Sequence, residues 1–388
     1  MVNNTQTENK GISEEYEQYT DKYFLRSKQI LKEKGINPIV RYQVFARRDI
    51  DVLKGVDEAV DFIKDVAGEK VKIYVLRDGQ KYRAKEPIMK LEGRVQDLID
   101  LETVYLQILS GNLTGEIDFN EIRKNARAVV KSAQDKPVYY AGARHYHYKD
   151  DGRIAKICQE EGFAGCSTDI GAKAWNSKGM GTIPHALILS YAAYMDEQGI
   201  QGNPTVEAIK GFDDVISKEV PRIILLDTFN REITDAIESA KAVPSLKGVR
   251  VDTCGENYAQ GVMPMYDEEY GISNDLGEDY FFRGYHNSRG VCIAGVWALR
   301  RSLDEAGFKD LEITVSSGFN KDKTQAFMEA NAFYRQPIFN GVLTGSLSKP
   351  ISTTSDICTY FNENKGLWLP MSKVGRSETP SKRLEERG

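Results

Sequence analysis

The stretch PRIILLDTFNREITDAIESAKA, Pro221 to Ala242, is a short apolar run that stops at Asp227 and gives way to a helical pattern. A short apolar run that ends in a polar residue and is followed by a helical stretch reads as a strand leading into a helix. The same grammar recurs from Lys136 onward: PVYYAGARH (137–145), GFAGCSTD (162–169), GVRVDTCGE (248–256), LEITVSSGF (311–319) and PIFNGVLTG (337–345). Helical stretches lie between them, among them GVCIAGVWALRRSLDEAG (290–307). Strand–helix repetition of this kind reads as a β/α barrel, in which strand C-terminal ends carry the chemistry. Asp227, Asp252, Ser316, Ser317 and Gly318 all fall at such ends. One aspartate there can simply cap the next helix; a series of polar strand ends points to a site.

The first third is different and reads as α+β, which separates residues 1–134 from a barrel over 135–346. Thr20–Gly35 is a helix and PIVRYQVFARR (38–48) an alternating strand. DIDVLKGVDEAVDFIKDV (49–66) is a strand edge and a helix. Asp78-Gly79, between alternating segments, predicts a tight hairpin. LIDLETVYLQILS from Leu98 is a strongly apolar helix, and DFNEIRKNARAVVKSAQ from Asp118 an amphipathic one. Residues 256–287 lack periodicity, and a connection of that length reads as a lid or interface loop. The tail from Ser372 is polar and charged, with only partial order expected.

At 388 residues, with 41% hydrophobic and 28% charged side chains, the composition is that of a globular protein able to bury a large core. A net charge of −5 argues against general nucleic-acid binding. No apolar run reaches membrane-spanning length and the N-terminus has no apolar signal core, so no membrane partner is expected. Five cysteines without CxxC spacing suggest neither a disulfide framework nor zinc, consistent with a reduced, cytoplasmic protein.

GMGTIPHALILSY, Gly179 to Tyr191, places His185, one of four histidines, in the first turn of a largely buried helix. Thr182 is the expected N-cap, and Pro184 is tolerated where its missing N–H costs nothing. The positive helix end disfavours imidazolium and attracts anions, phosphate above all. A neutral imidazole there is a nucleophile; a lone histidine is also often mere packing. At the barrel mouth, Asp227 and Asp252 can hold magnesium together with substrate phosphates. Arg144, Lys173, Arg250 and Arg289 can meet phosphate oxygens, and backbone amides at Ser317-Gly318 and Thr344-Gly345-Ser346 can cradle a phosphomonoester. GCSTDIGAK (165–173) fails as a Walker A loop by spacing and lacks Ser or Thr after Lys173. No GxGxxG or GxSxG motif is suitably placed. His145 and His147 lack a third ligand at a matching interval and are read as substrate contact or packing.

In this order GARHYHY, FAGCSTDIGAK, GMGTIPHALILSY, LLDTFNRE, VRVDT and VSSGF resemble nicotinate phosphoribosyltransferases, notably the shorter archaeal-type branch. TDKYFLR resembles the family's N-terminal Asp-x-Tyr element, LEGRVQDLIDLET its core helix and, weakly, SKVGRSETPSKR its C-terminal Lys/Thr-Pro pattern. The resemblance implies a type II phosphoribosyltransferase: an irregular β/α barrel plus an α+β sandwich-like domain that residues 347–388 return to complete, in a homodimer with shared sites. It implies transfer of phosphoribose from phosphoribosyl pyrophosphate to nicotinate in NAD salvage, with Mg2+ and with ATP as co-substrate acting through a phosphohistidine at His185. Arg250 and Asp252 match the family's catalytic Arg-x-Asp. Tyr23 matches the tyrosine that stacks on the pyridine from the partner subunit. Substrate contact is expected of Tyr23, Arg144, Ser167, Thr182, Asp227 and Arg289. Phosphate binding is expected of Ser317, Gly318, Thr344 and Gly345, and metal binding of Asp252 and Asp227.

Two departures touch the site. Gly165-Cys166-Ser167-Thr168 stands where relatives commonly have Gly-Thr-Ser-Asn, and Asp252-Thr253-Cys254-Gly255-Glu256 replaces Asp-Ser-Gly-Asp. They bear on base preference and metal ligation. The alternatives are a nicotinamide or quinolinate phosphoribosyltransferase on the same fold, or a non-catalytic nucleotide-binding paralogue. His185 speaks against the quinolinate enzyme, which needs no phosphorylatable histidine.

Overall fold

The computed structural model describes residues 12–262 and 283–387. The predicted loop 256–287 therefore lies largely outside the described residues. Six strands form a curled parallel sheet: β4 (Val138–Tyr140), β5 (Gly165–Cys166), β6 (Arg222–Leu225), β7 (Leu246–Val251), β8 (Glu312–Val315) and β9 (Gly341–Thr344), in the order β5-β4-β9-β8-β7-β6. Each coincides with one of the apolar runs singled out in the sequence. Ile224, Val249, Ile313 and Val342 are completely buried, as strands covered on both faces require.

The second sheet is antiparallel. It contains β1 (Ile39–Ala46), β2 (Val71–Val75), β3 (Met89–Arg94), β10 (Thr353–Asn362), β11 (Leu367–Pro370) and β12 (Glu385–Glu386), in the order β11-β10-β1-β3-β2-β12. β10 pairs with β1 along its whole length, so C-terminal residues form an inner strand of the N-terminal sheet. The helix Glu102–Thr114 is buried almost all round. Its polar atoms find partners on β10: Tyr105 Oη lies 2.7 Å from Ser355 Oγ, and Ser110 Oγ lies 3.0 Å from Thr353 Oγ1.

Three local expectations are corrected. Asp78-Gly79 turns, but β2 and β3 pair from Val75–Met89 outward, and no tight hairpin forms. Asp78 instead caps the helix Val56–Ala67, accepting from Val56 N at 2.9 Å, and Gly79 N–H donates to Leu53 O. Thr182 is not the cap of the helix His185–Gln198; Pro184 occupies that position in extended conformation. At the start of the stretch from Ser372 the Lys373 and Arg376 side chains are buried, so this part is held in place rather than loose.

The segment carrying His185 has its own task in the barrel. β5 and β6 are the free edges of the parallel sheet. Met180 N–H donates to Cys166 O on β5 at 2.8 Å, and the Thr182 hydroxyl donates to Ile223 O on β6 at 2.6 Å. Residues 179–184 thus bridge the gap between the edges and deliver His185 to the mouth.

Candidate active site

The N-terminal helix Lys22–Glu33 is clamped onto this bridge. Lys22 N–H donates to Ser167 O at 2.8 Å, the Lys22 ammonium lies 2.5 Å from Asp169, and Arg26 donates to Gly181 O. A Cβ on Gly181 would stand 2.9 Å from Tyr23 Cδ1, so only glycine lets the ring lie there. The Tyr23 hydroxyl donates to Asp21 at 2.8 Å, and the Arg250 guanidinium sits 5.8 Å from the ring centre. Tyr23, buried on the N-terminal helix, and Arg250 of the barrel thus lie side by side within one chain.

Arg144 belongs to the same corner, 3.4 Å from Asp21 and 3.2 Å from Glu102. Two buried carboxylates share one guanidinium there. Burial, only partly countered by Arg144, pushes the Glu102 carboxyl up to about 8.

His185 lies at the helix start with its side chain 20% exposed. Its Nδ1 is 2.9 Å from Thr228 Oγ1, and its Nε2 is 2.9 Å from Lys373 Nζ. Lys373 Nζ also lies 2.5 Å from Asp227 Oδ2 and donates to Asp252 O at 3.3 Å. Burial first, and then the Lys373 cation, hold the imidazole well below its ordinary range. Burial opposes the charge on Lys373, but Asp227 and Asp252 outweigh it and the ammonium is retained. Asp252 accepts from Ser316 Oγ at 2.8 Å. Asp227 already faces the Lys373 cation, so Asp252 is the carboxylate suited to a magnesium ion brought in on phosphates.

The turn after β8 is a second feature of the mouth. Ser317 and Gly318 follow one another in the left-handed region, at φ +71 and +73°, and the space beyond Gly318 is open. Consecutive amides in such a turn make a concavity for an anion. Lys323 donates to Ser317 O at 3.0 Å, and burial pulls its pKa down to about 8. Gly345 is different: a Cβ there would run into Gly142 and stand 2.8 Å from His145 Nδ1. Its glycine serves close packing between strand ends. Thr344 donates its hydroxyl to Phe319 O and accepts from Ser346 N, bracing the neighbouring turn.

Of the remaining expected residues, Ser167 is buried and holds the N-terminal helix through its carbonyl. Arg289 is exposed, its guanidinium 5.6 Å from the Tyr258 ring centre. Lys173 reaches Gln18 rather than the mouth. His145 contacts Gly345 O at 3.1 Å, whereas His147 caps the next helix and contacts Glu58 at 3.4 Å, so the two do not converge. Among the described residues no cluster of three or more His, Cys, Asp or Glu side chains is arranged for a metal. No helix there is long and apolar enough to cross a membrane. Lys373, Thr228 and Lys323 were not foreseen. The one signal for Lys373 was the faint C-terminal likeness in SKVGRSETPSKR.

Comparison with known proteins bears on the fold. Residues 21–111 match the family described as quinolinate phosphoribosyl transferase, N-terminal domain. A nicotinate phosphoribosyltransferase of Mycobacterium tuberculosis is 23% identical over 300 residues, which are 74% of this chain and 51% of the relative. The match thus spans about half that relative's length. The structure of a nicotinate phosphoribosyltransferase from Porphyromonas gingivalis superposes with a TM-score of 0.62 at 13% identity, covering 94% of both chains. The chain has the fold of the nicotinate phosphoribosyltransferase family. A second such enzyme, from Vibrio cholerae, gives a TM-score of 0.57 at 14% identity, over 91% of this chain and 89% of that one.

Proposed function

We propose that the protein is a nicotinate phosphoribosyltransferase whose turnover is coupled to ATP through His185. The observation that carries this is the convergence on one mouth of an aromatic ring beside a guanidinium, Tyr23 and Arg250, with the Ser317–Gly318 turn and His185. A flat, anionic pyridine fits the first pair, since stacking and charge both favour it. A phosphomonoester fits the turn. The cations Arg144 and Arg250 near Tyr23 favour a carboxylate over an amide on the ring.

The chemistry needs no general base. A pyridine nitrogen is unprotonated at neutral pH; its lone pair forms the bond to the anomeric carbon as the carbon–oxygen bond breaks and pyrophosphate leaves with the pair. The protein's task is to stabilise that leaving charge and the oxocarbenium-like sugar, a task this reading gives to Arg250 and Asp252. Magnesium, when bound through Asp252 and the substrate phosphates, supplies further charge neutralisation. For the coupling, neutral His185 offers Nε2 to a terminal phosphate, and Lys373 stands ready to meet the transferred oxygens.

The test is product analysis by mass spectrometry with nicotinate, phosphoribosyl pyrophosphate and Mg2+, with and without ATP. Nicotinate mononucleotide should form, rise with ATP, and cease to respond to ATP in His185→Ala. No nucleotide under any condition refutes the proposal.

A further inference from the structure

The neighbours of His185 decide which ring nitrogen carries its proton. An ammonium has donors only. Lys373 Nζ, 2.9 Å from Nε2 and 2.5 Å from Asp227, therefore makes Nε2 the acceptor. A neutral imidazole has one N–H, which then belongs to Nδ1 and points at Thr228 Oγ1, 2.9 Å away. Thr228 is completely buried, and its carbonyl accepts from Val374 N at 3.0 Å. One residue thus grips both the ring and the segment that carries Lys373. Asp227, its neighbour in sequence, lies on the other side of the ring, 3.7 Å from Nε2.

We propose that Thr228 is a positioning residue that, opposite Lys373, fixes His185 as the Nδ1–H tautomer and thereby selects Nε2 as the reacting atom. The choice of reacting atom rests on the phosphohistidine reading above; the tautomer does not. In the step, Lys373 gives up its contact with Nε2 but remains paired with Asp227. The Nε2 lone pair forms the N–P bond as the bond from the terminal phosphorus to the ADP oxygen breaks, and that oxygen keeps the pair. Nδ1 keeps its proton, and the positive charge growing on the ring is met by the Thr228 hydroxyl oxygen. A ring with the opposite tautomer would present an N–H, not a lone pair, to the phosphate.

The chain has four histidines, so selective 15N-histidine labelling resolves His185 in the full-length protein, with His185→Gln giving its assignment. The expected spectrum at neutral pH has the directly bonded proton on Nδ1 of His185 and a bare Nε2. Thr228→Val should lose that protected Nδ1–H signal and lower the ATP-stimulated kcat by about tenfold or more, with KM for ATP within about threefold. Thr228→Ser, which keeps the hydroxyl, should restore both. A proton on Nε2 in the unmodified protein overturns the proposal whether or not the variants fold. So does a Thr228→Val protein that retains both the signal and kcat. If the Nδ1–H tautomer is found but no phosphoryl group ever appears on His185, the tautomer assignment stands and the ATP-coupling reading falls.

Discussion

Replacing Lys373 by methionine removes one charge from a place with almost no water. The Lys373 side chain is 5% exposed and that of Asp227 is fully buried, with 2.5 Å between them. Breaking a buried pair by deleting one partner costs about 3–5 kcal/mol, because the other charge stays buried. The only other cationic candidate within reach of Asp227 among the described residues is His185, 3.7 Å away. In the native protein His185 is held neutral by burial and by Lys373, so acid favours the unfolded chain, whose histidine takes up a proton below its ordinary value. In Lys373→Met the repulsion is gone and Asp227 is unpaired, so the folded-state pKa of His185 rises. Stability from the new His185–Asp227 pair is then fully present below the unfolded pKa, and lost as pH rises through the folded one. The defect in Lys373→Met should therefore be largest near pH 8, about 3–5 kcal/mol, and narrow toward pH 5. Equilibrium urea unfolding across that range measures it. Adding Asp227→Asn should recover about 2 kcal/mol relative to additivity. A pH-independent defect, or one below about 1 kcal/mol at pH 8, would refute the reasoning.

Two further substitutions test the neighbouring geometry. Glu102 titrates near 8 in the folded protein, so the native state holds a proton that the unfolded chain releases at lower pH, and stability falls as pH rises from about 5 to 8. Glu102→Gln should flatten that slope, gaining stability relative to the native protein as pH rises, in the same urea experiment. The two glycine turns should respond differently to alanine. Gly345→Ala forces a Cβ against Gly142 and His145 and should cost about 1–3 kcal/mol of stability. Gly318→Ala meets only open space at φ +73°, should cost about 1 kcal/mol, and should show mainly as a higher KM for the phosphosugar.

The barrel was legible because its strands announce themselves locally. Each is a short apolar run with a polar or small residue where it stops, and a helical pattern follows. The helix Glu102–Thr114 was legible for the same reason. Asp78-Gly79 misled because its chemistry is that of a hairpin, whereas its carboxylate is engaged in capping a helix far back in the chain. Thr182 misled similarly: its hydroxyl goes to β6 rather than to its own helix. The partners of His185 were out of reach for another reason. Lys373 lies 188 residues further along, on a segment whose composition resembles a loose tail. Nothing local says that its ammonium is buried between two aspartates. For Gly345 the family likeness suggests phosphate binding, whereas the close packing against Gly142 is a steric need that no local pattern announces.

The most direct measurement is a competition among bases. The protein is mixed with Mg2+, phosphoribosyl pyrophosphate and equal nicotinate, nicotinamide and ring-13C-labelled quinolinate, with and without ATP, and the nucleotides are read by mass spectrometry, the label marking any product that comes from quinolinate. Nicotinate mononucleotide should dominate and increase with ATP. Preferential formation of nicotinamide mononucleotide, or decarboxylated product from quinolinate without any response to ATP, would contradict the roles given to Arg250, Tyr23 and His185.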